Sequence, residues 1–175
     1  IRCAETPDVF LRNYRYQITE QLDLDEMREA AKLIEGTHDF KCFQAAGGEE
    51  KTTTVRTIHG IEIYEAANDN IIAKCEDMTT LSKNIECERE AERSAECEIR
   101  TSKNAEREIA IAVHGDGFLY NMVRIITGTL VEVGLGKRKP SSLADIIVSG
   151  SRQNAGHTAP PQGLYLAEVY YDATF

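Results

Sequence analysis

The sequence predicts an α+β fold: a mainly antiparallel four-stranded sheet with helices packed on one face. Three observations lead there. Three separate stretches place apolar residues at helical spacing, and four others are short runs of strand-forming residues. The strand-like runs are joined by hairpin-type turns rather than by regular helical crossovers. The chain has 175 residues, 42% hydrophobic and 28% charged, which suffices for one core and argues against wholesale disorder. Residues 1–175 are therefore expected to form a single domain.

The first helix runs from Leu24 to Glu35. Asp23 is a good N-cap, with Glu26 three residues on as in a capping box. Leu22 and Met27 flank the cap as a hydrophobic staple. Met27, Ala30, Ala31 and Ile34 form the apolar stripe, and Gly36 is placed to end the helix. Residues 44–51 read as a polar, glycine-bearing loop. A strand follows from Thr52 to Tyr64, and its alternation slips at His59-Gly60, which predicts a bulge. Asn68-Asp69-Asn70 is a turn, and Ile71 to Cys75 is read as the returning arm. Residues 77–108 form a charged excursion without Gly or Pro, equally compatible with a surface helix within 81–98 and with a solvated extension of the hairpin. Ile109 to Val113 is a strand, Phe118 to about Val133 a second helix, Ser141 to Val148 a third, and Tyr165 to Tyr171 a last strand.

Charge and cysteine usage restrict the function classes. The net charge is −9, which argues against a simple basic nucleic-acid clamp. Residues 109–175 hold 5 basic and 5 acidic groups and are neutral overall. Within them Lys137, Arg138 and Lys139 stand together. The five cysteines show no C-x-x-C pair, so reduced thiols in the cytoplasm are expected rather than a disulfide framework or a zinc site. No His/Cys/Asp cluster has ligand spacing, so neither a metal nor a cofactor is implied. No run approaches the roughly 18 apolar residues of a membrane span. Residues 1–20 do not read as a signal peptide. The start at Ile1 fits an excised piece of something longer.

The informative element is the second helix. Leu119, Met122, Val123, Ile126 and Leu130 make a broad apolar face, and Arg124 is the one ion before Glu132. Asn121, Arg124 and Gly128 fall on one side at helical spacing. Arg keeps its charge, so Arg124 needs open water for its head or an anionic partner. Gly128 leaves room there for a close approach. His114 and His157 read as hydrogen-bonded structural residues, and Asp39 as a maker of local backbone hydrogen bonds rather than a base.

Gly115-Asp-Gly-Phe-Leu-Tyr-Asn-Met-Val-Arg124-Ile-Ile-Thr-Gly-Thr-Leu-Val-Glu-Val-Gly134 resembles the signature of TruA-type tRNA pseudouridine synthases. Met27-Arg-Glu-Ala-Ala-Lys, Gly36-Thr-His-Asp-Phe40, Thr53-Thr-Val-Arg-Thr-Ile58, Ala155-Gly-His-Thr-Ala-Pro160 and Gly163-Leu-Tyr-Leu166 match the same family. Their order and spacing fit its C-terminal half, over nearly the whole chain except 77–108. The resemblance implies an isomerase that converts uridines of the tRNA anticodon stem-loop to pseudouridine. The family's Asp lies in an Arg-Thr-Asp-x-Gly motif of its N-terminal half. Here Arg56-Thr57 continues with Ile58 and Arg100-Thr101 with Ser102. The chain therefore resembles the C-terminal domain alone, inactive without the half that carries the Asp. The resemblance makes Arg124 the partner of that Asp. It assigns Leu164 to the uracil pocket, and Asn121 is a further candidate for substrate binding. Lys137, Arg138, Lys139 and Arg152 are candidates for RNA phosphates, or simply a solvated basic turn. The implied partners are tRNA, the N-terminal domain of the same chain and a second subunit in a homodimer. The alternative is a non-catalytic RNA-binding or dimerisation module of the same fold, and the net charge weighs against its RNA-binding form.

Overall fold

The computed structural model describes residues 1–6, 8–47, 52–66 and 106–170. One sheet contains β1 (Arg2–Cys3), β2 (Gln17–Ile18), β3 (Gly36–Asp39), β4 (Val55–Ala66) and β5 (Arg107–Gly115) in the order β2-β1-β5-β4-β3. The helices are α1 (Leu24–Lys32), α2 (Met122–Gly134) and α3 (Ser142–Ser149), with a 3-10 turn at Phe40–Phe43. β1 and β2 run parallel, and the other pairs are antiparallel. The α+β class and the mainly antiparallel sheet are as the sequence predicts. Among the described residues the sheet has five strands rather than four.

The strand differences have local causes. β1 and β2 have two residues each, too short to show an alternation. β3 holds Gly-Thr-His-Asp, which follows a helix end and carries no strand-like run, yet it pairs with β4 from Gly36↔Ile58 to Asp39↔Val55. The expected strand at Tyr165–Tyr171 is not formed over residues 164–170. Gly163 turns the chain at a φ of +82°, and the Tyr165 hydroxyl donates to the Tyr14 carbonyl at 3.1 Å. Leu166 stays 82% exposed. Alternating side chains make a strand only where a sheet edge in register accepts the backbone, and residues 164–170 meet none among the described residues. The returning arm at 71–75 and nearly all of the charged excursion lie outside the described residues.

β4 shows the expected irregularity. Ile58 pairs with Gly115 and Gly60 with His114, so the register shifts between them. The extra residue keeps Ile58, Ile61 and Ile63 all buried. Without it, a period of two would turn either Ile58 or the later pair outward. These side chains share one core with Ile109 of β5 and with the apolar faces of α1 and α2. Phe40 and Phe43 fill its other end.

α1 begins where Asp23 accepts from the backbone N–H groups of Asp25 and Glu26, at 3.0 and 3.1 Å. The return arm of the capping box is replaced, because the Asp23 N–H donates to the Gly134 carbonyl at 2.9 Å. The start of α1 is thereby pinned to the end of α2. A Cβ on Gly134 would lie 2.6 Å from Met27 Sδ and 3.3 Å from Leu22, so the staple residues close over that glycine. The helix ends at Lys32, earlier than predicted, since Leu33 and Ile34 bond back to Ala30 and Ala31 over three residues. Asp23→Ala should cost about 1 kcal/mol in a urea titration. An unchanged midpoint would mean that Gly134 alone holds this end.

Candidate functional site

α2 starts four residues later than its pattern suggests. Asn121 stands in the left-handed region at a φ of 58°, where no other non-glycine is found among the described residues. Asn tolerates this conformation better than most residues. The kink ends the Phe118–Tyr120 lead-in and aims the Asn121 side chain along the helix. Its Oδ1 accepts from Arg124 Nη1 at 2.9 Å. Leu119, Met122, Ile125, Ile126 and Leu130 are buried on the core side. Ile125 belongs to that face although the pattern did not single it out, and Val123 is only half-buried.

Arg124 is half-buried. Its Nε donates to the Ala159 carbonyl at 2.7 Å, and the Ala159 N–H donates back to the Arg124 carbonyl at 3.0 Å. No ion pair to Arg124 occurs among the described residues. Two neutral acceptors orient the guanidinium without neutralising it, which leaves its charge available to an anion.

The segment 154–159 lies along α2 at very close range. A Cβ on Gly128 would fall inside contact distance of the His157 carbonyl oxygen and 2.9 Å from its carbon. A Cβ on Gly156 would lie 2.7 Å from Thr129 Cα. Each glycine admits the other backbone. Thr129 Oγ1 donates to the Ile125 carbonyl at 2.8 Å and accepts the Gly156 N–H at 3.0 Å. Arg152 donates to the Ala155 and Gly156 carbonyls, at 3.4 and 2.8 Å, and to Thr158 Oγ1 at 3.0 Å.

Glu132 closes this seam one turn beyond Gly128. Its Oε1 accepts from the His157 N–H at 2.9 Å and lies 3.0 Å from His157 Nδ1, and its Oε2 meets Arg138 Nε at 2.5 Å. His157 Nε2 lies 3.0 Å from the Tyr16 hydroxyl. A neutral imidazole with its hydrogen on Nδ1 serves both neighbours. Tyr16, Glu132, Lys137 and His157 line a cleft of about 310 Å³ beside β2. Desolvation pushes the Glu132 carboxyl up, but the bonds from His157 and Arg138 outweigh it and bring the group down to about 2 from 4.5. A depressed folded value contributes stability that is whole above the unfolded value and fades as pH falls through the folded one. Wild type should therefore lose stability between about pH 4.5 and 2. Glu132→Gln should flatten this acid limb in melts run across that range, and an unaltered limb would remove Glu132 from the account.

The structure brings Asn121 and Arg124 together and leaves the other candidates apart. Leu164 is 50% exposed, and its N–H donates to the Pro161 carbonyl at 3.2 Å. No hydrogen bond ties it to Arg124. Lys137 and Lys139 are exposed, whereas Arg138 and Arg152 are half-buried and engaged within the fold. Arg138 also donates to the Asn154 carbonyl at 2.7 Å. His114 makes ring contacts with His59 and Tyr170, at 5.1 and 5.7 Å between centroids. Asp39 caps the 3-10 turn, accepting from the Lys41 N–H at 3.0 Å and Thr54 Oγ1 at 2.6 Å. Sequence reasoning missed the Ala159 carbonyl and the Glu132–His157 clamp. The spacing Arg124, Gly128, Glu132 was a signal for the clamp, since steps of four lie one above another. No sequence signal marked the carbonyl. Cys3 and Cys42 are free and buried, and burial raises the Cys42 thiol to about 11. That suits an inert thiol. The other cysteines lie outside the described residues. No metal-ligating cluster occurs among the described residues, and none of their helices is long and apolar enough to cross a membrane.

An α+β sheet domain with an arginine held on its glycine-bearing helix is the class of protein these features define. Residues 30–172 match the family model described as tRNA pseudouridine synthase, and the chain belongs to that family. It is 41% identical over 161 residues to tRNA pseudouridine synthase A 2 of Clostridium tetani, covering 92% of this chain and 49% of that protein. It is 40% identical over 172 residues to tRNA pseudouridine synthase A of Geobacillus sp. (strain WCH70), covering 98% of this chain and 53% of that one. The chain spans about half the length of the curated relatives it matches.

Proposed function

We propose that this chain is the C-terminal domain of a tRNA pseudouridine synthase acting on uridines of the anticodon stem-loop. The observation that carries the reading is the state of Arg124: oriented by Asn121 and Ala159, half-buried, and without a carboxylate partner among the described residues. The reaction breaks the N1–C1′ bond of uridine and joins C5 to C1′. A carboxylate must stay ionised to assist it, as nucleophile or as base. A guanidinium in hydrogen-bond range favours the ionised form and fixes the direction of its oxygens. Arg124 does this for an Asp supplied by the N-terminal domain, in an Arg-Thr-Asp-x-Gly motif. Asn121 and Leu164 take part in the uracil pocket. Lys137 and Lys139, with their exposed ammonium groups, are better placed for phosphates than Arg138 and Arg152, whose donors are engaged within the fold.

The full-length protein acts as a cytoplasmic homodimer on tRNA in this reading, which sedimentation would test. The 175 residues alone are expected to release no tritium from tRNA labelled at uridine C5, where pseudouridine formation displaces the label. The full-length protein is expected to release it from the anticodon arm. Release by the isolated chain above background would remove the Asp from its assigned place.

A further inference from the structure

We propose that Glu132 is a positioning residue for Arg124, acting through the segment 154–159. This rests on the reading of Arg124 given above and adds a residue that the reading does not use.

The contacts run along one face of α2. Arg124, Gly128 and Glu132 stand at successive turns of α2. At the first turn the Ala159 carbonyl holds Arg124 Nε. At the second, Gly128 lets the His157 carbonyl touch the helix. At the third, Glu132 accepts both N–H groups that His157 offers it. The other Glu132 oxygen holds Arg138, which in turn binds the Asn154 carbonyl. One carboxylate therefore secures the segment at 154 and at 157, two residues before the carbonyl that orients Arg124. The seam is buried at Ala155, Gly156 and Ala159, and Glu132 itself is only 19% exposed, while His157 and Asn154 lie on its outer side. With Glu132 removed, the His157 N–H and the Arg138 guanidinium lose their acceptor. Thr129 and Arg152 still hold the segment at residues 155, 156 and 158, but position 157 loses its acceptor on α2, and the Ala159–Arg124 pair is left to set its own geometry.

A general stabiliser would lower the melting point and nothing else. A positioning residue changes Arg124 while the protein remains folded. The test uses the full-length protein with Glu132→Ala, Glu132→Gln, Arg124→Met and Glu20→Gln, since Glu20 also lines the cleft beside β2. The first readout is solvent exchange of the Arg124 Nε–H by nitrogen-15 NMR, and the second is kcat and KM for tritium release. Glu132→Ala should speed the Nε–H exchange and lower kcat roughly tenfold to a hundredfold, with KM little changed. Glu132→Gln keeps a neutral acceptor for His157 and should recover most of kcat. It also reports on the site should the alanine variant not fold. Glu20→Gln should match wild type in both readouts. Wild-type Nε–H exchange in Glu132→Ala overturns the proposal, and so does a loss confined to thermal stability. Failure of the underlying reading looks different: Arg124→Met would then turn over at the wild-type rate, whatever Glu132 does to the Nε–H.

Discussion

Arg124→Met in the full-length protein is expected to lower pseudouridine formation by about two to three orders of magnitude, the usual cost of removing one oriented electrostatic group from an active site. Stability should change little by comparison. Methionine keeps the stem that packs along the helix and gives up the bonds to Ala159 and Asn121, each of which contributes about 1 kcal/mol net. The thermal midpoint should thus move by a few degrees, roughly, while turnover collapses. Arg124→Lys should resemble Met more than wild type. A single ammonium cannot reach the Ala159 carbonyl, the Asn121 amide and a carboxylate from one fixed direction. Turnover assays beside melting curves decide the matter: wild-type rate in Arg124→Met would make this arginine a solvated surface group.

Gly128→Ala carries the other large effect, first on stability. The added methyl would overlap the His157 backbone carbonyl, and the Ala159 N–H lies only 3.3 Å from the same point. Backbone atoms cannot swing aside as a flexible side chain does, so the segment 155–159 must lift from α2 as a unit. Overpacking of this kind costs about 1–3 kcal/mol, and the Gly156–Thr129 and Ala159–Arg124 bonds are put at risk with it. Denaturant titration should show a loss toward the upper end of that range. Gly117→Ala is the matched control, since a Cβ there meets open space and should be nearly neutral. A Gly128→Ala midpoint equal to that of Gly117→Ala would show that the seam between helix and segment is loose.

The parts of this fold that were legible in the sequence are those whose signal is local. Asp23 announces the start of α1 because a short side-chain acceptor before an apolar stripe has one common use. His59-Gly60 announces the bulge because a period of two that slips by one residue has few other meanings. Pairing partners were harder. Gly36–Asp39 carries no strand signal of its own and becomes a strand only because β4 offers it an edge. The run after Gly163 has the right alternation and stays out of the sheet, because no edge among the described residues receives it. The site divides the same way. An arginine in an apolar helix is conspicuous, and Asn121 with Gly128 beside it follows from helical spacing. The groups that hold Arg124 are a backbone carbonyl 35 residues on and a segment secured by Glu132. Main-chain acceptors have no residue type, so no pattern of letters reveals them.

In the proposed reading Arg124 is poised for a carboxylate carried by another part of the protein. Titration of the Arg-Thr-Asp-x-Gly aspartate in the full-length protein, followed by carbon-13 NMR of the side-chain carboxyl, tests this pairing. With Arg124 in place that Asp should titrate below its ordinary value of about 3.9, and Arg124→Met should raise it by roughly one unit or more. An aspartate that titrates identically in the two proteins would contradict the pairing.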